Sequence, residues 1–319
     1  MKVLSLFDGI SCGRLALERA GLSVEKYDAF EIDKYAITVS KNNFPDIVQH
    51  GDVFDGNFKE FQGYDLLIGG SPCQGFSYSG KMLNFNDSRS KLFFEFVRAI
   101  KEAKPKYFLL ENVKMKQEWQ DIISNELGVK PIEINSKLVS AQNRVRLYWT
   151  NIPNVTVPDD RGICLKDILE NVEFPNPAAI RGRNVDLSEE CLKSATIVGR
   201  RLDSSGHRKD ENLDIPITQC LEVRDKNTDK SNCLTTVDKD NVLTPLPYGR
   251  YADCFGKITG EKLPFRYYTN TEYERLQTLP DGYTSCAKST VARRAIGNGW
   301  TVDVIAHIFS ALKITDNKA

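Results

Sequence analysis

Val3-Leu4-Ser5-Leu6-Phe7-Asp8-Gly9-Ile10-Ser11-Cys12-Gly13 is the stretch from which the fold is read. Val3 to Phe7 is a short apolar run, as expected of a buried strand. It breaks at Asp8-Gly9, and a helical segment follows around Arg14 to Ala20. Glycines between a strand and a helix let a ligand approach the backbone at a helix N-terminus. The same rhythm continues outward: strand Tyr27 to Ile32, helix Lys34 to Asn42, strand Tyr64 to Ile68 ending at Gly69-Gly70. Leu92 to Ala103 has helical spacing, and Tyr107 to Leu110 is a fourth strand ending at Glu111-Asn112. This alternation specifies an α/β fold, a parallel sheet with helices on both faces. Ligands in such folds bind beyond the carboxyl ends of the strands. Asp8, Glu31, Asp52, Cys73 and Glu111 all follow apolar runs, so one crevice can collect them.

After about Pro153 the texture changes. Pro153, Pro158, Pro175 and Pro177 interrupt the rhythm, and the chain from Ala178 to about Leu263 is polar. Short β-like runs occur at Ala195 to Val198, Leu221 to Val223 and Leu234 to Val237. The pattern predicts a catalytic and cofactor-binding domain over 1–152, completed by 290–319, and a smaller, irregular, β-rich domain over 153–289. Thr271 to Thr278 reads as a helix capped by Thr271 or Asn270, and Val302 to Leu312 as the last helix. There is no internal repeat.

The chain has 319 residues, enough for about two domains. Lys plus Arg and Asp plus Glu both number 43, which excludes a strongly basic nucleic-acid-coating protein but not a local basic cleft. None of the eight cysteines forms a C-x-x-C pair, so neither a metal site nor a thioredoxin motif is expected. The apolar start is broken at Asp8-Gly9, unlike a signal peptide, and no apolar run reaches membrane-spanning length. A reducing, cytoplasmic setting with free thiols is the expectation, with no membrane partner.

The chemistry-bearing residues lie at the strand ends. Phe7 to Gly13 lacks the full dinucleotide fingerprint. Glu31, about twenty residues later, is either a solvated loop acid or an acceptor for ribose hydroxyls. Asp52 fits an adenine amino contact. Gly69-Gly70-Ser71-Pro72-Cys73-Gln74-Gly75-Phe76-Ser77 is more specific: a cysteine behind a proline, after a buried strand, sits on a stiff exposed turn. Its glycines and proline argue against the commoner fate of cysteine, a core position. His50, His207 and His307 lie in unrelated contexts, which argues against a Cys-His hydrolase. Glu111 is either a nearby functional acid or a strand-end cap. In Gln142-Asn143-Arg144-Val145-Arg146 two arginines fall at strand spacing. They belong to a solvated edge, or they are cations for a phosphate or a base oxygen.

Together these segments resemble the DNA (cytosine-5)-methyltransferase family, in the family's order and over nearly the whole chain. Phe7, Asp8, Gly9, Ile10, Ser11, Cys12 and Gly13 resemble its cofactor loop. Glu31 with Ile32 resembles the ribose-binding acid and its neighbour, and Asp52-Val53 the adenine-contacting element. Ser71-Pro72-Cys73-Gln74 matches the nucleophile motif, and Asp87-Ser88-Arg89-Ser90 is similar to the element that follows. Glu111-Asn112-Val113 and Gln142 to Arg146 match two further motifs. Arg266 to Leu279, with Glu274-Arg275-Leu276-Gln277, looks like the element organising the recognition region. Ala295-Ile296-Gly297-Asn298-Gly299-Trp300 resembles the closing motif. Trp300, where the usual bacterial motif differs, and Phe7 to Ile10 look more like the catalytic domain of the animal de novo branch. The compact size resembles a bacterial or phage enzyme.

The resemblance implies a Rossmann-like S-adenosylmethionine-dependent methyltransferase sheet with a target-recognition domain. It implies covalent catalysis by Cys73 on carbon 6 of cytosine, Glu111 at ring nitrogen 3, and Arg144 and Arg146 on the base oxygen and the catalytic loop. The cofactor would also meet Pro72, Leu92, Asn298, Gly299 and Trp300. The substrate is a cytosine flipped out of double-stranded DNA, with the polar loop from Gln74 to Lys91 as a lid. DNA contacts are expected at Gln74, Ser77 and Arg89, and in the recognition domain at Arg181, Arg183, Arg200, Arg201 and Lys209, unless this is a solvated face balanced by Asp210, Glu211 and Asp214. A cognate restriction endonuclease is a functional partner, and the chain is a monomer or a family-type dimer. The rival readings are a tRNA cytosine-5 methyltransferase, a non-catalytic adaptor and, from the fold alone, a nicotinamide dehydrogenase.

Overall fold

The computed structural model describes residues 1–71, 91–172, 192–223, 229–246, 249–252 and 265–316. The first part alternates β1 (Lys2–Leu6), α1 (Cys12–Arg19), β2 (Lys26–Phe30), α2 (Lys34–Asn43), β3 (Val48–Gln49) and β4 (Leu66–Gly69). It continues with α3 (Lys91–Ala103), β5 (Tyr107–Val113), α4 (Gln117–Leu127), β6 (Ile132–Asn135) and β7 (Val145–Thr150). Seven strands form one sheet in the order β3-β2-β1-β4-β5-β7-β6. β1 to β5 run parallel, and β7 is antiparallel to both its neighbours. The chain leaves β1 toward β2 and β3, then returns to the other side of β1 as β4. That reversal opens a crevice at the carboxyl ends of β1 and β4.

The strands are apolar on both faces, as a parallel sheet covered by helices requires. Successive residues of β1 separate accordingly: Val3 joins an apolar cluster with α1 and the C-terminal helices, and Leu4 joins one with α3 and Trp149. α3 presents Phe93, Phe96 and Val97 to this second cluster.

A second sheet contains β8 (Lys193–Arg201), β9 (Ile217–Val223), β10 (Val242–Thr244), β11 (Gly249–Ala252) and β12 (Arg266–Tyr267). Its order is β11-β9-β8-β10-β12, with every pair antiparallel. The chain ends in α5 (Asn270–Leu276), α6 (Ser289–Asn298) and α7 (Val302–Asp316), and α7 packs on α1. The α/β class is as expected, with four local corrections. β5 runs on through Glu111 to Val113, so this acid lies within a strand and not after it. Leu234 to Val237 forms no strand. The cap of α5 is Thr269, whose hydroxyl accepts from Glu272 N while the Glu272 carboxylate accepts from Thr269 N. α4 and α6 carry helices where none was anticipated. Among the described residues no helix is long and apolar enough to cross a membrane.

Candidate active site

A cavity of about 320 Å³ lies beyond the carboxyl ends of β1, β2 and β4, walled by β5 and by the end of α6. Its floor is the loop after β1. Phe7 and Ser11, both non-glycine, take left-handed φ values of 58° and 61°, with Gly9 between them at 58°. Such backbone costs on the order of 1 kcal/mol or more per residue and persists only when its surroundings enforce it. Asp8 enforces it, accepting from Ser5 Oγ at 2.7 Å, from Tyr27 OH at 2.7 Å and from Ser11 Oγ. Burial raises the Asp8 pKa above the ordinary carboxylate range, against these three donors. Glu31 completes the loop. Its carboxylate accepts from Gly9 N, Ile32 N and Asp33 N, each at 2.8 Å. The acid therefore joins the ends of β1 and β2 while still lining the cavity.

The opposite wall carries the second acid. Glu111 is buried, with Oε1 3.0 Å from Arg146 Nε and Oε2 accepting from Trp300 Nε1 at 3.1 Å. β5 and β7 pair antiparallel with Val113 opposite Arg146 and Glu111 opposite Tyr148. That register brings the arginine beside the acid. Next along β5, Asn112 Nδ2 donates to Ser71 Oγ at 3.2 Å, holding the residue that leads into Pro72-Cys73. Gly70 has to be glycine here, because an added Cβ would stand 2.8 Å from Trp300 Nε1 and 3.1 Å from Glu111 Oε2.

The two arginines do different work. Arg144 precedes β7 and is buried. Nη1 donates to Leu234 O at 3.0 Å, and Nη2 to Gly297 O at 3.2 Å and Gly299 O at 3.0 Å. Burial, then the neighbouring Arg146, lowers its pKa. The expected pair of cations for one ligand is therefore one cation facing Glu111 and one backbone clamp. Gln142 shares the clamp, donating to Leu276 O and accepting from Leu234 N. Gln277 donates to Ile296 O and Gly299 O, each at 3.0 Å. Glu274 accepts from Gly282 N and Thr284 N, each at 2.7 Å, and Arg275 pairs with Asp281. Glu274, Arg275 and Gln277 thus each hold a turn or the closing motif in place. Asp33, on the cavity wall, has no feature in the sequence that sets it apart from other polar loop residues.

Phe7, Gly9, Ile10, Glu31, Glu111, Arg144, Arg146 and Asn298 converge on the cavity. Other candidates stand apart from its lining. Cys12 is buried, with its thiol pushed up to about 12 chiefly by desolvation, and is a packing residue. Gly13 is covered by Ile68 and Trp300, and Gly299 lies against Cys12 Sγ. Val53 is in the core, while Asp52 accepts from Phe54 N at 3.0 Å and starts a short 3-10 turn. Arg98 of α3 clamps that turn through Val53 O and Gly56 O, a contact with no sequence signal. Leu92 packs beside the second apolar cluster, and Ile32 is 73% exposed next to Glu31. Pro72, Cys73, Gln74, Ser77, Arg89, Arg181 and Arg183, with most of the candidate lid, lie outside the described residues.

In the second sheet Arg200 is held by both oxygens of Glu222, at 2.8 and 3.1 Å, and Arg201 donates to Leu213 O and Ile215 O. The expectation for both was DNA contact or a solvated face balanced by Asp210, Glu211 and Asp214, and Asp210 Oδ2 lies 3.8 Å from Arg200 Nη1. Lys209 is exposed. Elsewhere, an open depression between α1 and α7 contains Arg19, Arg161, Arg275 and Lys313. Asp303 already pairs with the first two and Asp281 with the third. The described cysteines Cys12, Cys164, Cys220, Cys233 and Cys286 are free thiols.

The family profile described as C-5 cytosine-specific DNA methylase matches residues 1–314. The Type II methyltransferase M1.ScrFI of Lactococcus lactis subsp. cremoris is 31% identical, covering 95% of this chain and 76% of that protein. The Type II methyltransferase M.HhaI of Haemophilus parahaemolyticus is 28% identical over 97% of this chain and 93% of its own. The Entamoeba histolytica methyltransferase EhMeth shares the fold, with a TM-score of 0.69 over 100% of this chain and 99% of that one, at 17% identity. With its motifs in order, Glu31 and Glu111 in one crevice and the profile running from the first strand into the last helix, the chain belongs to the C-5 cytosine-specific DNA methylase family.

Proposed function

We propose that this chain methylates carbon 5 of a cytosine flipped out of duplex DNA, using S-adenosylmethionine and a transient covalent bond to Cys73. The observation that carries the reading is the placement of Glu111, paired with Arg146, in the same cavity as the strained loop at Phe7 to Ser11. Ser71, held by Asn112, leads from that cavity wall directly into Pro72-Cys73.

The residues present suit the cofactor. It is a cation at its sulfonium and ammonium groups, and Glu31 and Asp33 put carboxylates on the cavity wall. Nothing lies within 4 Å of where a Cβ on Gly9 would stand, so the loop leaves room for a ligand against the backbone. When bound, S-adenosylmethionine supplies the electrophilic methyl group that carbon 5 accepts.

The chain's own residues prepare the base. Carbon 5 of cytosine is a weak nucleophile, and the Cys73 thiolate corrects this by adding to carbon 6, its electron pair forming the new S–C bond. The ring electrons displaced by that addition move toward carbon 5. Glu111 hydrogen-bonds ring nitrogen 3, limiting charge on the ring. Arg146 Nη2, whose contact among the described residues is Cys233 Sγ at 3.8 Å, is a donor available for the base oxygen. Once carbon 5 carries the methyl group, its proton passes to solvent water, the C–H electron pair re-forms the carbon 5–carbon 6 double bond, and the C–S bond breaks with its pair returning to the Cys73 thiolate. We assign target recognition to the region 153–289, with Lys209 as one exposed cation. A cognate restriction endonuclease would be a partner through the shared target sequence.

The test is base-conversion sequencing of DNA from a methylation-free bacterial host expressing the chain, beside its Cys73→Ser variant. Protected cytosines within one short sequence, absent with the variant, are the expected result. Unprotected DNA with soluble protein present overturns the reading, and labelled tRNA is then the substrate to try.

A further inference from the structure

We propose that Trp300 is a positioning residue for methyl transfer, its indole N–H fixing Glu111 in the orientation that faces the cytosine ring. The inference rests on the reading of Glu111 given above. The final torsion of a glutamate side chain is broad and nearly two-fold, so a carboxyl anchored at one oxygen still swings. Glu111 is anchored at both: Arg146 Nε at Oε1, 3.0 Å, and Trp300 Nε1 at Oε2, 3.1 Å.

The ring itself is tightly seated. An added Cβ at Gly70 would lie 2.8 Å from Nε1, and one at Gly13 3.3 Å from Cζ3. The indole therefore lies between the first turn of α1 and the segment leading to Pro72-Cys73. It stands at the junction of α6 and α7, where Arg144 and Gln277 fix the carbonyl of Gly299. An indole nitrogen only donates, so its partner must be an acceptor, and the acceptor it meets is Oε2. A phenylalanine would fill the slot and leave Oε2 unanchored.

The experiment compares full-length wild type, Trp300→Phe, Glu111→Gln and the double variant by kcat, cofactor KM and the pH profile of kcat. A hydrogen bond to a charged group is worth enough for roughly a 10- to 100-fold loss of kcat in Trp300→Phe. Cofactor KM should move by less than about twofold, while the pH profile of kcat should differ from that of wild type. In the Glu111→Gln background the same substitution should have little further effect. Equal losses in both backgrounds, or a loss confined to cofactor KM, would overturn the proposal and leave Trp300 as packing. A Glu111→Gln variant with wild-type kcat would remove Glu111 from the chemistry, and the proposal with it. If Trp300→Phe does not fold, a tryptophan analogue carrying sulfur in place of the indole N–H keeps the ring and asks the same question.

Discussion

Glu111 shows how much one side chain depends on its neighbours. Alone it is an acid on a buried strand, a position that ordinarily disfavours charge. With Arg146 and Trp300 it becomes an oriented carboxyl beside an open cavity. Replacing it by glutamine removes its acid–base capacity and should slow methyl transfer about 100- to 10,000-fold, measured by label incorporation into DNA at saturating cofactor. Cys73→Ser should abolish transfer while isothermal titration still detects cofactor binding, since a serine hydroxyl is a far weaker nucleophile than a thiolate. Loss of cofactor binding in that variant would mean Cys73 has another role. At this scale the sequence was legible where functional residues are contiguous. It did not distinguish Arg144 from Arg146, because spacing predicts a shared face but not that one guanidinium is consumed by Leu234, Gly297 and Gly299 carbonyls.

Elements are placed by a few close approaches. At Gly297 in α6 an added Cβ would stand 2.4 Å from Thr235 O, a backbone atom with no freedom to swing aside. Gly297→Ala should therefore destabilise the protein by about 1–3 kcal/mol, read as a lower midpoint in chemical denaturation. β2 is held differently. Asp28 lies buried and meets Tyr64 OH at 2.6 Å, His50 Nε2 at 2.7 Å and Lys26 Nζ at 3.2 Å. Burial pushes its carboxyl up, but these three partners outweigh it and hold it below the ordinary range. A depressed carboxyl stabilises the fold above its unfolded value and loses that contribution as pH falls through the folded one. Asp28→Asn should lower the melting temperature at neutral pH, and the gap to wild type should close below about pH 4. The long strand–helix alternation was readable because apolar period and glycine breaks coincide there. α4 escaped because it buries only Ile123, and Leu234 to Val237 misled because its apolar and β-branched residues serve a loop docked on Gln142 and Arg144.

Across the molecule, the part between the sheets is tied by charge inside the core. Arg266 and Glu272 pair at 2.7 Å, both buried, and Glu272 also accepts from Glu170 N at 2.9 Å. Glu272→Gln leaves the Arg266 charge without its partner and should cost about 3–5 kcal/mol, measurable by urea titration. The sequence rhythm implied the parallel sheet but not its order or the antiparallel β7, and in the second sheet the runs at Ala195 to Val198 and Leu221 to Val223 marked β8 and β9 but not the shorter β10, β11 and β12. One consequence of α7 lying on α1, with Trp300 behind Gly13, concerns synthesis. The loop that opens the crevice leaves the ribosome long before the wall that closes it. Until α6 and α7 emerge, the nascent chain carries Glu31 and Glu111 but no finished pocket around them. Folding must therefore close the long loop from α1 to α7 before the pocket is complete.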